Sequence, residues 1–257
     1  MTPRKVYLIT PVLNEAPNIP DLVAGWKHLV AELNDFRFGF ILVDDGSTDG
    51  TAALARQHAA GLELTVLSHE TNKGPGYAFG TGFGHLHGRL EDSDIVVTIE
   101  GDNTSRLETL KIMLGRITRE NADVAFASPH AYGGGIVNTS WWRVLASHAA
   151  SALTKMALSI HGILTFSSFF RAYQAHVIIK LQKIYGPRIL EFNGFECMIE
   201  LLKKIVLQGF TISEVPMKLD TSMRKGKSKL KMMKTIRRYF HIFLVSSRWK
   251  KTAKAAG

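Results

Sequence analysis

"LVDDGSTDGT", residues 42–51, places two adjacent carboxylates, Asp44 and Asp45, at the end of a β-rich run and follows them with Gly46 and Ser47. Successive side chains of an extended strand point to opposite faces, so the two acids must diverge: one is placed to cap the turn, the other to face a ligand crevice. Taken by itself the stretch also reads as a plain turn, with Ser47 or Asp49 capping the next helix. The wider chain repeats the arrangement. Runs at 6–10, 40–43, 62–67, 95–99 and 124–127 read as short strands, and the stretches near 18–33, 49–60, 76–88 and 105–119 have helical length and apolar spacing. This alternation predicts an α/β fold, a mostly parallel Rossmann-like sheet flanked by helices, whose ligands bind beyond the carboxyl ends of the strands. Polar clusters stand at those ends: Pro11, Asn14 and Glu15 after the first strand, Asp44 and Asp45 after the second, Glu100 and Asp102 after the fourth.

The 257 residues, 46% hydrophobic and 21% charged, suffice for one large globular domain with an appendage. The single cysteine, Cys197, excludes an internal disulfide framework and reads as a small core residue of a protein in a reducing compartment. The opening MTPRKVYLIT has no apolar stretch of signal-peptide length, and the most apolar region, 144–170, is broken by His148, Lys155 and His161, so no membrane span is expected. The net charge of +10 is local. Residues 217–257 carry 13 Lys or Arg against one Asp, a balance of +12 that leaves −2 for everything before them.

Beyond Ser128 the alternation weakens. Residues 140–161 and 195–208 look helical, 210–215 looks like a strand, and a Gly/Ser/Lys-rich loop at 221–229 precedes a last helix. "NKGPGYAFGTG", 72–82, is glycine-rich but fits neither the dinucleotide fingerprint nor the phosphate-binding P-loop, and "GKS" at 226–228 has Thr221 where a P-loop needs glycine. In "TIEGDNTSRLE", 98–108, Gly101 separates Glu100 from Asp102, so both acids can face the same side of a strand end, and the glycine leaves room for a phosphate. Oxygen-only ligands favour Mg²⁺ or Mn²⁺ over zinc.

Taken together, Pro11-x-x-Asn14-Glu15, the run Val43 to Thr51, Asn72-Lys73-Gly74, the acidic site ending in Asp102 and "EVPMKLDTSMRKGKSKL" resemble the family-2 inverting glycosyltransferases of GT-A fold. The likeness covers about residues 5–231 and is greatest to the polyprenol (dolichol) phosphate mannosyltransferase branch. It implies a GT-A domain over 1–229, with a nucleotide-sugar half of about 1–128 and an acceptor half of about 129–229, and a basic amphipathic helix over 230–257. It further implies that Pro11, Asn14, Glu15, Asp44, Asp45, Lys73 and Gly74 hold the nucleotide-sugar. Glu100, Asp102 and Thr104 would take the Mg²⁺ or Mn²⁺ that bridges the donor diphosphate. His130, Arg143, Ser147, Arg224 and Lys229 would receive the acceptor phosphate, with Asp102, Arg143 and Arg224 as the catalytic set. The chain departs from the family pattern at three places: Glu100 replaces the first Asp of Asp-x-Asp, with Thr104 two residues past Asp102 where the branch has Gln; Ser128-Pro129-His130 lacks an expected Arg; and Leu164 stands where an Asp precedes "S-G-F".

The implied reaction moves a mannose- or glucose-type hexose onto polyprenyl (dolichyl) phosphate. A phosphate-monoester acceptor is largely dianionic at neutral pH and needs cationic neighbours more than a general base. A saccharide or other hydroxyl acceptor would instead need a carboxylate base, for which Glu191 and Glu196 are the candidates, although each also suits the start of a helix. In the tail, Met232, Met233, Ile236, Tyr239, Phe240 and Phe243 share one helical face and Lys231, Lys234, Arg238, His241 and Arg248 another. Such a helix can lie in an anionic membrane surface or pack on the domain with its basic side solvated, and Trp141 and Trp142 suit an interfacial belt or a core. The expected setting is cytoplasmic, peripheral at the cytoplasmic face of a membrane, with no nucleic acid as partner. A non-catalytic protein binding anionic membrane or nucleic acid through the tail is the competing class.

Overall fold

A computed structural model describes residues 3–137, 160, 162–166, 168–223 and 232–255, with the backbone alone at 221, 232–241, 243 and 244. Two nine-residue strands, β1 (Arg4–Val12) and β2 (Phe36–Asp44), form its centre, pairing in parallel from Arg4↔Phe36 to Val12↔Asp44. Around them lie β3 (Glu63–Ser68), β4 (Ile95–Thr98), β5 (Val124–Ser128), β7 (Arg171–Gln174) and β8 (Ile212–Pro216), in the order β3-β2-β1-β4-β7-β5-β8. β7 runs antiparallel between β4 and β5. A separate parallel pair joins β6 (Gly135–Val137) to β9 (Lys218–Asp220).

The apolar runs are continuous because both faces of the sheet are covered. Alternate residues of β2 serve two cores: Phe38, Phe40 and Leu42 enter one, Ile41 and Val43 the other. The first is closed by α1 (Ile19–Glu32), α2 (Thr51–His58) and α4 (Glu108–Arg119), where Trp26 stacks on Phe40 with ring centroids 4.6 Å apart. The second is closed by α3 (Pro75–Leu86), α5 (Ala175–Tyr185), α6 (Cys197–Leu207) and α7 (Met232–Ala255), and Cys197 is buried in it as expected. Gly82 is where α3 comes down on β1, since a Cβ there would lie 2.3 Å from Ile9 Cγ2.

The five expected strands and four helices of the first half are all present, displaced by a few residues at their ends. The strand expected at 210–215 is β8 and the helix at 195–208 is α6, whereas the helix expected over 140–161, apart from Ile160, and residues 224–229 of the loop expected at 221–229 fall outside the described residues. Sequence reading missed 171–185. β7 is only four residues long and begins with Arg171, a charged side chain with no exposure, buried because it donates to the carbonyls of Phe166, Ser168 and Met198.

No helix among the described residues is long and apolar enough to cross a membrane. The C-terminal half of α7 packs on the domain: Ile242 and Trp249 are buried in the second core, and Trp249 Nε1 donates to Glu191 Oε1 at 2.8 Å. Trp249 was absent from the apolar face expected of the tail. Arg248, read as part of the solvated basic face, pairs with Glu191. The side chains of the expected apolar face, Met232, Met233, Ile236, Tyr239, Phe240 and Phe243, lie outside the described residues, and Ile242 was not read as part of it.

Gly82→Ala should cost about 1–3 kcal/mol through overpacking against Ile9, more than the roughly 1 kcal/mol that alanine's helix propensity returns. A lower urea midpoint is the expected result, and an unchanged or higher one would contradict so close a contact.

Candidate active site

Parallel pairing of β1 with β2 brings their two following loops side by side, and short polar side chains lace them together. Asn14, in the left-handed region at φ 48°, donates its N–H to Ser47 Oγ at 2.8 Å and accepts the Thr48 N–H on Oδ1 at 2.9 Å. Glu15 N–H donates to Thr51 Oγ1, and Ala16 N–H to Asp49 Oδ2. Burial alone would raise the Asp49 pKa, but the hydrogen bonds from Thr51 and Ala16 outweigh it and hold the group below its ordinary value. Asp49 thus binds the first N–H of α2 at 3.1 Å, while the cap position itself is Gly50.

Asp44 and Asp45 diverge as the strand geometry requires. Asp44 Oδ1 caps the turn by accepting the Ser47 N–H at 3.0 Å. Asp45 does not stand open to a crevice: it accepts the N–H groups of Lys73 at 3.0 Å and Gly74 at 2.7 Å, and His69 Nδ1 lies 2.7 Å from it. A carboxylate only accepts, so His69 Nδ1 carries a proton, and its other nitrogen lies 3.0 Å from Thr81 Oγ1. Asp45 is therefore the anchor of the glycine loop between β3 and α3. The loop is tight on its far side as well, where a Cβ at Gly74 would lie 2.3 Å from the Asn193 carbonyl oxygen and one at Gly76 2.1 Å from that of Phe192. Lys73 extends over the Tyr77 ring, 4.7 Å from its centroid.

Beyond β4, Asp102 Oδ1 accepts the N–H of Thr104 at 3.1 Å and its hydroxyl at 2.6 Å, so these two candidates sit together. Glu100 lies beside them, with Oε2 accepting Ser105 Oγ at 2.9 Å. Burial, with the neighbouring Asp102 carboxylate, pushes the Glu100 pKa up to about 7. Two desolvated, mutually repelling carboxylates and a hydroxyl form a hard, all-oxygen donor set, which fits Mg²⁺ or Mn²⁺. Among the described residues no three His, Cys, Asp or Glu side chains converge, so a cation here would complete its shell with water and ligand oxygens. Gly101 has another reason than the one its spacing implied: a Cβ there would lie 2.5 Å from Val12 Cγ1, so the approach it permits is that of β1 and not of a phosphate.

Glu100 also opens onto a cavity of about 150 Å³ whose polar side includes His130, Thr165 and Ser168 and whose apolar side includes Met217 and Leu219. The structure thus brings His130 to the metal candidates. Arg143, Ser147, Arg224 and Lys229, with Trp141 and Trp142, lie outside the described residues. Leu164 places its N–H on Glu214 Oε2 at 2.8 Å. Glu196 precedes the first residue of α6, as read, but Glu191 begins no helix: it lies in the loop before α6, bonded by Lys204 and Trp249.

Residues 7–181 match the family model described as glycosyl transferase family 2. The chain belongs to that family. It is 29% identical over 229 residues to a polyprenol monophosphomannose synthase of Mycolicibacterium smegmatis, covering 88% of this chain and 81% of that one. It is 27% identical to an undecaprenyl-phosphate mannosyltransferase of Micrococcus luteus, covering 88% and 87%. Its fold is that of GT-A glycosyltransferases: glucosyl-3-phosphoglycerate synthase from Mycobacterium tuberculosis, crystallised with Mn²⁺, UDP and its product, superposes at a TM-score of 0.65 and 20% identity over 95% of this chain and 79% of that one.

Within this glycosyltransferase, sequence reading overlooked His69, Thr81, Ser105 and Asn193. Ser105 stood inside the quoted acidic stretch. The other three act through contacts distant in sequence, and nothing in their local pattern marks them. Asp45→Ala leaves three donors without their acceptor and should cost on the order of 3 kcal/mol, with faster amide exchange at Lys73 and Gly74. Unchanged exchange at those two amides would refute the anchoring role of Asp45.

Proposed function

We propose that this glycosyltransferase moves a hexose of mannose or glucose type, with inversion, from a nucleotide-sugar to polyprenyl phosphate at the cytoplasmic face of a membrane. The carrying observation is convergence: four loops, bearing Pro11 to Glu15, Asp44 with Asp45, Lys73 with Gly74, and Glu100 to Thr104, meet at the carboxyl edge of the sheet. Relatives similar over 88% of the chain are named for polyprenyl-phosphate mannosyl transfer, which supports the lipid acceptor.

In this reading Pro11, Asn14, Glu15 and Asp44 hold the nucleoside, and Lys73 and Gly74 flank it on the loop that Asp45 fixes. Glu100, Asp102 and Thr104 would hold Mg²⁺ or Mn²⁺, which supplies positive charge to the leaving diphosphate. His130, Arg143, Ser147, Arg224 and Lys229 would receive the acceptor phosphate. Its oxygen attacks the anomeric carbon as the nucleoside diphosphate departs from the other side. A dianionic phosphate needs no strong base, and Glu191, one of the two carboxylates that a hydroxyl acceptor would call upon, is engaged by Lys204, Arg248 and Trp249. The basic tail, 230–257, would rest on anionic lipid, each Lys or Arg near the surface adding about 1 kcal/mol.

Incubation with a panel of nucleotide-sugars, Mn²⁺ and a short polyprenyl phosphate should give a glycosylated lipid identifiable by mass. No lipid product from any donor, with transfer to a saccharide instead, would overturn the acceptor assignment. Asp102→Asn should abolish that product while leaving liposome binding intact; full activity under limiting metal would sink the metal assignment. Removal of 230–257 should weaken sedimentation with anionic liposomes, and unchanged sedimentation would contradict the interfacial role of the tail.

A further inference from the structure

The glycine loop of the donor half is held on its far side by a segment that has no place in the chemistry. Asn193 accepts the Gly76 N–H at 2.9 Å, and the carbonyls of Phe192 and Asn193 occupy the space where Gly76 and Gly74 would carry side chains. Just upstream, Arg188 lies over the Tyr77 ring, 3.6 Å from its centroid, and donates to the Tyr77 carbonyl at 3.0 Å. A displacement of residues 188–193 therefore displaces Gly74, Gly76 and Tyr77.

That segment is itself clamped. Lys204, with no exposure, donates to the Ile189 carbonyl and to Glu200 Oε1, both at 2.6 Å, while Glu200 accepts the N–H groups of Glu191 at 2.8 Å and Phe192 at 2.9 Å. Ile189 is held in the left-handed region at φ 64°, which a β-branched residue occupies only where its surroundings enforce it. The other end of the clamp is α7: Glu191 takes the indole N–H of Trp249 and pairs with Arg248, and the Phe192 ring meets Trp249 edge-on. The contacts run without a gap from the C-terminal helix through 188–193 to the loop that Asp45 anchors.

We propose that residues 188–193 form a bracket by which the seating of the C-terminal helix sets the geometry of the glycine loop, making Glu191 and Trp249 positioning residues for nucleotide binding. The proposal rests on the donor-site reading above. Its consequence is that a helix placed to meet a lipid surface also tunes donor affinity, although Trp249 touches neither substrate.

The test is calorimetric titration of the full chain with GDP and with UDP in the presence of Mn²⁺, together with steady-state kinetics. Wild type should bind one of the two nucleotides. Trp249→Phe, which keeps an aromatic ring but loses the indole donor, and Glu191→Ala should each weaken that binding about tenfold, within the range by which network residues modulate coupling. Both should raise the donor KM and leave kcat and the polyprenyl-phosphate KM in place. Glu191→Gln, which can still accept from Trp249, should restore most of the affinity at an unchanged thermal midpoint. Wild-type affinity in both Trp249→Phe and Glu191→Ala would overturn the bracket, as would a parallel fall in kcat and both KM terms, which marks general loosening. A selective fall in kcat in Glu191→Ala and Glu191→Gln would instead make Glu191 a general base. Should Glu191→Ala fail to fold, Trp249→Phe alone decides. Wild type that binds neither nucleotide would refute the donor-site reading itself.

Discussion

The nine consecutive pairs between β1 and β2, ending at Val12↔Asp44, set where the rest of the site lies. A parallel pair brings two strand ends to one edge, so the loops after them leave from the same place and must share a crowded space. The chain fills that space with short polar residues, whose side chains replace the backbone partners that strand ends lose. Asn14, Ser47, Thr48, Asp49 and Thr51 bond across the two loops, and Asp45, whose own N–H is held by the Val12 carbonyl, reaches the third at Lys73 and Gly74. A register slip of one residue would exchange the roles of Asp44 and Asp45 and undo the whole edge.

Buried charges do the equivalent work in the part of the chain beyond β5. Lys204 and Glu200 are fully buried and bond each other, and each also binds backbone of the preceding loop. Burial raises the Glu200 pKa even against the pull of Lys204. Removing one partner of such a pair leaves an uncompensated charge that costs about 3–5 kcal/mol, whereas the intact pair adds little net stability. Its use here is positional. Arg171 acts similarly on the segment before β7, tying three carbonyls to one guanidinium that also lies over the Phe126 ring.

How much of this was legible in the sequence follows from range. The alternation of strands and helices in residues 4–128 is a local signal, and so are the polar clusters at strand ends, so the sheet and the groups Asp44, Asp45, Glu100 and Asp102 could be read directly, whereas Thr104 came only with the family resemblance. The direction of β7 could not, because antiparallel insertion between β4 and β5 depends on partners 45 to 79 residues away in sequence, from Phe126↔Arg171 to Ile95↔Gln174. Nor could the reason for Gly101: its spacing suggests room for a phosphate, but what approaches it is Val12. Trp249 was missed for the same reason. Helical periodicity places it, but only the Glu191 carboxylate 58 residues earlier makes it an anchor.

Glu100 differs from the Asp of the family pattern in a way the geometry makes intelligible. Asp102 turns back on its own loop, accepting the N–H and the hydroxyl of Thr104 two residues on. Glu100 turns toward the neighbouring cavity, accepting the Ser105 hydroxyl at 2.9 Å and lying near the backbone N–H of Phe169, the residue whose carbonyl accepts Thr98 Oγ1 at 2.6 Å. An aspartate at this position would be shorter by about one carbon–carbon bond, roughly 1.5 Å, and from the same backbone would fall short of those donors. The extra methylene thus joins the acidic turn to the segment 166–170 that Arg171 clamps. One wall of the neighbouring cavity, which Glu100 lines with His130, Thr165 and Ser168, is thereby tied to the turn after β4, so a change in the reach of Glu100 alters the shape of that cavity as well as its charge.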